Sequence, residues 1–250
     1  MVEKYSEFVD ELKSSRRYFL SESSQEFLSS LKELAKERTF LLKEGEVLYR
    51  ARKNDVVRNG GDYQPVSDPR PAEEMKPTPN MNSEGRANPY NITMMYLASS
   101  EETAVVSEVR PDVHFPVTVS EFRVVKDLRL VDFVSTRPSW AWYFRKTDDV
   151  TNLWLRLSGD YSRPLNKEEQ RINYLQTQVI AEYFNDQGFD GLIFQSQFKA
   201  RKNSSECGED ISKNFVIFDL DAVEHIKAGV WKISEQIVLV EKHAPCNACA

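Results

Sequence analysis

Cysteine and histidine are scarce, three of each in 250 residues, and this scarcity removes whole classes of chemistry. Cys207, Cys246 and Cys249 are an odd number, and Met1 to Glu7 leads into charged residues where a secretory leader would have an apolar core. A disulfide framework is therefore not expected, and the cytoplasm is the expected compartment. His243, Cys246 and Cys249 form a His-x-x-Cys-x-x-Cys tail that offers three zinc ligands. A structural zinc takes four, and no second pair lies nearby, so no metal is expected and residues 241–250 read as a disordered tail. The histidines are His114, His225 and His243, and no Gly-x-Ser-x-Gly elbow occurs, which leaves a serine-hydrolase triad poorly supported. Gly-x-Gly-x-x-Gly and the phosphate-loop Gly-Lys-Ser/Thr are missing too, which weakens ordinary dehydrogenase and ATPase readings. No apolar run is long enough to span a bilayer, and no membrane partner is expected. Positive charge is not in excess either: 33 basic residues face 39 acidic ones, for a net charge of −6. That balance disfavours direct binding of nucleic acid while leaving room for a local basic pocket.

What is present reads as one domain with an appendage. Tyr5, Phe8, Val9 and Leu12 recur at helical spacing, and so do Phe27, Leu28, Leu31, Leu34 and Ala35 after the capping-box pattern Ser23-Ser24-Gln25-Glu26. Residues 1–40 are thus expected to be a helical extension of two amphipathic helices, which either pack on the domain body or dock a partner. Glu44 to Arg52 reads as a short strand ending in basic residues. From Lys53 to Asn91 the chain carries Pro65, Pro69, Pro71, Pro77, Pro79 and Pro89 with Gly60-Gly61, a composition that argues for loop and against helix or central strand. A loop this long is either disordered or part of a binding site, such as a lid.

Beyond Thr93, strand and helix patterns alternate. Met94 to Leu97 reads as a buried strand, and Ser100 as the cap of a helix with Glu101 and Glu102 in its first turn and Glu108 two turns on. Val117–Val125 and Leu128–Asp132, separated by Lys126-Asp127, suggest a hairpin or meander. Asp149 to Ser158 reads as helix. Asn166 to Gln187 is the clearest helix, capped by Asn166, stopped by Gly188, with Ile172, Leu175, Val179, Ile180, Tyr183 and Phe184 on its inner side. Gly191–Phe194 and Asn214–Phe218 are apolar runs suited to central strands, with another between Trp231 and Val240. The expected fold is α+β, a central mixed sheet with flanking helices over residues 41–240, plus the N-terminal extension.

Arg86, Tyr96, Glu108 and Ser196, each in a compact motif, are the side chains most suited to carry chemistry. A dinucleotide such as NAD presents two phosphates, two riboses and a cationic nicotinamide, so its site needs guanidinium groups, an aromatic face and a carboxylate. Arg50, Arg52 and Arg86 are the arginines placed for phosphate, because a planar fork donates paired charge-assisted hydrogen bonds. Arg86 stands out, with a glycine before it and Asn88-Pro89 stiffening the turn after it. Tyr96 lies in an apolar strand, where a core tyrosine is the plainer reading. Glu108 is set among Ala104, Val105 and Val109, and a carboxylate is costly to bury without a partner. Near a glycosidic centre such an acid stabilises the oxocarbenium-like transition state. Glu102 competes with it, but a first-turn acid already has a structural reason to exist. Ser196 ends a central-strand run, where a strand-end cap is the alternative.

This arrangement resembles the RES-domain family, named for its Arg, Glu and Ser, whose members are toxins of bacterial toxin–antitoxin pairs. The resemblance rests on Leu48-Tyr49-Arg50-Ala51-Arg52, Gly85-Arg86-Ala87-Asn88-Pro89, Met95-Tyr96-Leu97-Ala98, the helix carrying Glu108, Asp190 to Ser196, and Asn214 to Phe218. It implies an ADP-ribosyltransferase-like fold and consumption of NAD as substrate, by phosphorolysis, hydrolysis or modification of a protein. By position, Arg50 and Arg86 would bind the diphosphate or ribose region with Arg52 beside them. Tyr96 would contact the nicotinamide side, Glu108 would be the catalytic acid residue, and Ser196 would orient the ligand. The implied partner is a helix-turn-helix antitoxin. Three features depart from the pattern: the extra N-terminal helices, a longer proline-rich segment before Arg86, and Gln195-Ser196 where the family pairs Pro-Ser. A non-catalytic module binding a nucleotide or a protein partner is the competing reading, and a homo-oligomer is left open.

Overall fold

The computed structural model describes residues 1–59, 62–78, 84–105, 115–134, 148–163, 172–196 and 212–232. Helices α1 (Val2–Ser14) and α2 (Glu22–Ala35) form where the apolar spacing puts them, burying Tyr5, Phe8, Val9 and Leu12 from one and Phe27, Leu28, Leu31 and Ala35 from the other. The cap of α2 differs from expectation. Ser21, not Ser23, accepts the Ser24 amide at 3.3 Å, and the acid that completes the box comes from α1. Glu11 accepts the Ser21 amide at 2.8 Å and the Ser21 and Ser24 hydroxyls at 2.6 and 2.5 Å. A capping box split between two helices leaves no four-residue signature in the sequence.

The buried faces of both helices join one core with Phe133, Leu153, Trp154, Leu157, Tyr161, Ile180, Phe184 and Phe194. Phe8, Phe27 and Leu31 are fully enclosed there, and each contributes ~1.5–3 kcal/mol relative to exposure. The helices therefore pack on the domain body. Their other neighbours are α5 (Asp149–Ser162) and α6 (Leu175–Asp186), and Tyr5 donates to Asp160 at 2.5 Å.

Among the described residues the main sheet has eight strands: β1 (Thr39–Leu42), β2 (Val47–Lys53), β5 (Met95–Ala98), β6 (Pro116–Val124), β7 (Leu128–Asp132), β8 (Gly191–Gln195), β9 (Lys213–Ile217) and β10 (Val223–Lys232). Their order is β1-β7-β8-β9-β5-β2-β6-β10, and β7–β8 is the parallel pair in an otherwise antiparallel ladder. The expected β6–β7 hairpin is absent: β6 pairs with β2 and β10, and β7 with β1 and β8. From Val124 to Leu128 the chain reaches at most ~15 Å, whereas crossing from β6 to β7 along a flat sheet would take ~24 Å. The sheet must curl, and the second core confirms it. Leu48, Phe122, Val124 and Val223 from one end pack with Leu128, Leu130, Ile193, Phe215 and Ile217 from the other. Lys126-Asp127 is thus a corner between the two halves.

The halves meet at a seam. Strands β2 and β5 share a single register pair, Tyr49 with Ala98, whereas β2 and β6 are paired from Val47 to Lys53.

The described residues of the proline-rich segment carry strand and helix where loop is expected. It holds a separate hairpin, β3 (Val56–Asn59) with β4 (Asp62–Pro65), and one turn of helix, α3 (Ala72–Met75), opening after Pro71. The prolines sit where they do no harm: Pro65 ends its strand, and Pro71 precedes the helix, where no amide is required. Asn54 anchors the segment, donating to Val66 O at 2.7 Å and Asp68 O at 3.0 Å, while its own oxygen accepts from the Thr118 hydroxyl at 2.7 Å.

Helix α6 departs from its expected register. Asn166 lies outside the described residues, and the regular helix opens after Tyr174 (φ −96°, ψ −7°). Its buried face carries Gln176, Thr177 and Gln178 with Ile180, Ala181 and Phe184, while Ile172 is 54% exposed. Gly188, at φ +78°, ends it as expected. Among the described residues the last strand is β10; of the expected run, residues 233–240 lie outside them. Its interspersed Glu224, Lys227 and Lys232 mark a solvated edge strand and hide it from a search for apolar runs.

Candidate functional site

The best-built feature near the sheet is the turn Gly85-Arg86-Ala87-Asn88. The Gly85 amide donates to Asn88 O at 2.9 Å. Tyr96, from β5, donates its hydroxyl to Asn88 Oδ1 at 2.7 Å and accepts the Ala87 amide at 3.0 Å. Asn88 Nδ2 in turn donates to Ile92 O at 2.8 Å. Gly85 is required by close approach: a Cβ there would lie 2.5 Å from Tyr96 Oη and 2.6 Å from Asn88 Oδ1. From α6, Gln178 Nε2 donates to Gly85 O at 2.9 Å and to Asn88 O at 3.1 Å. Every residue of the turn except Arg86 is thus fastened inward.

Arg86 points to Phe194, its guanidinium carbon 5.5 Å from the ring centroid, a cation–π arrangement. Phe194 also packs on Tyr161 (5.8 Å), which stacks on Phe133 (4.6 Å). Tyr161 donates to Thr177 O at 2.7 Å. Burial first, then the neighbouring Tyr96 and Asp160, holds the Tyr161 hydroxyl well above its ordinary pKa, so it remains a donor. Ser196 follows two residues after Phe194 and therefore faces the same side. It is 4% exposed, and its amide continues the ladder to Ser212 O at 2.8 Å. Arg86, Tyr96 and Ser196 are brought to one face, the helical one.

Arg50 and Arg52 are not placed with them. They stand two and four residues after Leu48 and so share its face, the one turned to the enclosed core between the two halves of the sheet. Arg50 Nη1 crosses the seam to Tyr96 O at 3.2 Å and to Met95 Sδ at 3.8 Å. At a seam where strand pairing lapses, this guanidinium satisfies a carbonyl that a β-ladder would otherwise serve. Arg52 donates to Glu74 O, tying β2 to α3. Burial, and then Arg70 nearby, lowers its pKa from the ordinary arginine value.

Glu108 lies outside the described residues. Of the helix expected to carry it, the described start is capped as expected: Ser100 caps α4 (Glu101–Thr103), accepting the Thr103 amide at 3.2 Å. Glu101 is held above the ordinary glutamate pKa by burial first, then by Glu121 and Glu102, with Lys227 opposing. Tyr49 is raised by burial and by Glu121 and Glu101. The residues that sequence reasoning missed are Asn88, Gln178 and Phe194. Phe194 and Asn88 lay inside motifs but looked like core and turn; Gln178 could be found only as a polar residue on an inner helix face. Among the described residues no helix is long and apolar enough to cross a membrane.

Among curated proteins, none matches the chain. Among solved structures, the chain is similar to one in the crystal structure of the M. tuberculosis MbcT–MbcA toxin–antitoxin complex. The identity is 12% and the TM-score 0.38, over 81% of this chain and 92% of the other. A model of the RES domain matches residues 48–236, a span that takes in the turn bearing Arg86, the strand bearing Tyr96 and the strand end bearing Ser196. The chain belongs to the RES domain family.

Proposed function

We propose that this protein consumes NAD by cleaving the nicotinamide–ribose bond, and that it acts as a bacterial toxin in the cytoplasm, restrained by a helix-turn-helix antitoxin. The observation that carries the reading is the fastened Gly85–Asn88 turn, which sets one guanidinium on the face that also bears Ser196. A rigidly presented arginine binds a diphosphate with little loss of side-chain freedom. Phe194 beneath it keeps one side of the cation away from water, which strengthens its pull on an anion.

On this reading, Arg86 holds the diphosphate, Ser196 orients the ligand, and Tyr96 shapes the nicotinamide side. The bond between the ribose anomeric carbon and the pyridinium nitrogen breaks, its electron pair returning to nitrogen, so nicotinamide leaves neutral. The ribose left behind carries oxocarbenium character, which the Glu108 carboxylate stabilises until water, phosphate or a protein side chain adds. Arg50 and Arg52 are proposed as ligand contacts only from the seam side.

The test is nicotinamide release from NAD by purified protein, followed by chromatography with and without phosphate. Glu108→Gln is expected to lower kcat by about 10²–10⁴-fold with the circular dichroism spectrum unchanged. Undiminished turnover in Glu108→Gln removes the mechanism. Tight NAD binding without turnover over hours makes the protein a binding module instead. ADP-ribose carried on a protein makes it a transferase.

A further inference from the structure

Gln178 is 7% exposed on the inner side of α6, where the surrounding core is apolar. A buried primary amide needs partners for both of its N–H groups, and both are found in the same turn, at Gly85 O (2.9 Å) and Asn88 O (3.1 Å). The orientation of the amide follows from chemistry, since reversing it would set its oxygen against two carbonyl oxygens. The residue before it, Thr177, accepts the Tyr161 hydroxyl through its carbonyl at 2.7 Å, and Tyr161 supports Phe194, the ring under Arg86. Adjacent residues of one helix turn thus hold both the arch that carries Arg86 and the floor on which it rests.

We infer that Gln178 is a positioning residue for Arg86: its two hydrogen bonds fix the Gly85–Asn88 turn and so aim the guanidinium at the anionic part of the ligand. This rests on the proposed role of Arg86 in binding the diphosphate. Gln178 touches neither the ligand nor the reacting bond. Loss of its amide takes from Gly85 O this donor and leaves Asn88 O with the Gly85 amide alone, which releases the turn, while the carboxylate proposed for the chemical step is not among its partners. The consequence is weaker ligand binding with the chemical step preserved.

The experiment compares Gln178→Met, which keeps the volume and removes both donors, with Gln178→Glu, each alone and combined with Arg86→Ala. The readouts are KM and kcat for nicotinamide release and hydrogen exchange of the Gly85 and Ala87 amides. Gln178→Met is expected to raise KM for NAD about tenfold with kcat within about threefold. It should add nothing further once Arg86 is alanine, because the two act as one unit. The amides at 85 and 87 should exchange about tenfold faster while those of α6 keep their protection. Gln178→Glu should behave like Gln178→Met at neutral pH and recover in part as acid protonates the carboxyl, which then supplies one donor in place of two, an arm that survives if the methionine variant fails to fold. An equal rise in KM in both backgrounds, or unchanged exchange at 85 and 87, overturns the inference. Should wild-type protein neither bind nor cleave NAD, the proposed activity falls, and amide exchange alone decides the role of Gln178.

Discussion

Arg50 and Arg52 on one side of the β2–β5 seam, and Arg86 on the other, are the same residue type in opposite settings. The pair on β2 are tied to main-chain carbonyls, Arg50 to Tyr96 O and Arg52 to Glu74 O. Arg86 is held by nothing stronger in its described surroundings than the face of Phe194, while the backbone on either side of it is pinned by Tyr96 and Gln178. A guanidinium that satisfies the backbone is an element of the fold. On the proposed reading, one whose backbone is fixed and whose head lies on a ring receives an anion.

That contrast can be broken by substitution. The largest separation is expected in ligand affinity: Arg86→Ala should weaken NAD binding by about 10–100-fold in calorimetry, the range for a charge-assisted contact worth ~1.5–3 kcal/mol. Its melting temperature should move little, since surface changes lie within ~0.5 kcal/mol. Next comes stability on the other side of the seam. Arg50→Met, which keeps the stem and removes the donor, should lower unfolding free energy by about 1.5–3 kcal/mol in urea titration. If Arg50→Met costs no stability and Arg86→Ala does, the assignment of roles is reversed. A smaller effect is expected for Gly85→Ala. Its Cβ would meet Tyr96 Oη and Asn88 Oδ1 well inside contact distance, so the turn must shift, at a cost of ~1–3 kcal/mol. That variant sharpens the comparison because it should also weaken NAD binding, although it removes no charge.

The parts legible in the sequence were those set by local pattern. Tyr5, Phe8, Val9 and Leu12 announce α1, Ser100 announces α4, and the apolar runs after Asp190 and from Asn214 announce two central strands. What stayed hidden depends on the path of the chain in space. Val117–Val125 and Leu128–Asp132 look like a hairpin because the curl that separates them is a property of the whole sheet. Glu11 completes a cap ten residues away, and no short-range rule connects it to Ser21. In the site, Arg86 was visible because glycine and Asn-Pro frame it. Gln178 was not, since its partners at Gly85 and Asn88 are far back in the chain, and three polar residues on a buried helix face read as a fault in the pattern until their acceptors are known.

The curled sheet also governs how the molecule assembles itself. Val47–Lys53 waits for Pro116–Val124, and Met95–Ala98 waits for Lys213–Ile217, so the central ladder cannot form until long loops have closed. Chains dominated by such remote pairings refold in roughly milliseconds to seconds, and at this length they pass through partly formed states with unsatisfied strand edges. The half-built ladder, and not the finished one, is the form of this protein most exposed to aggregation.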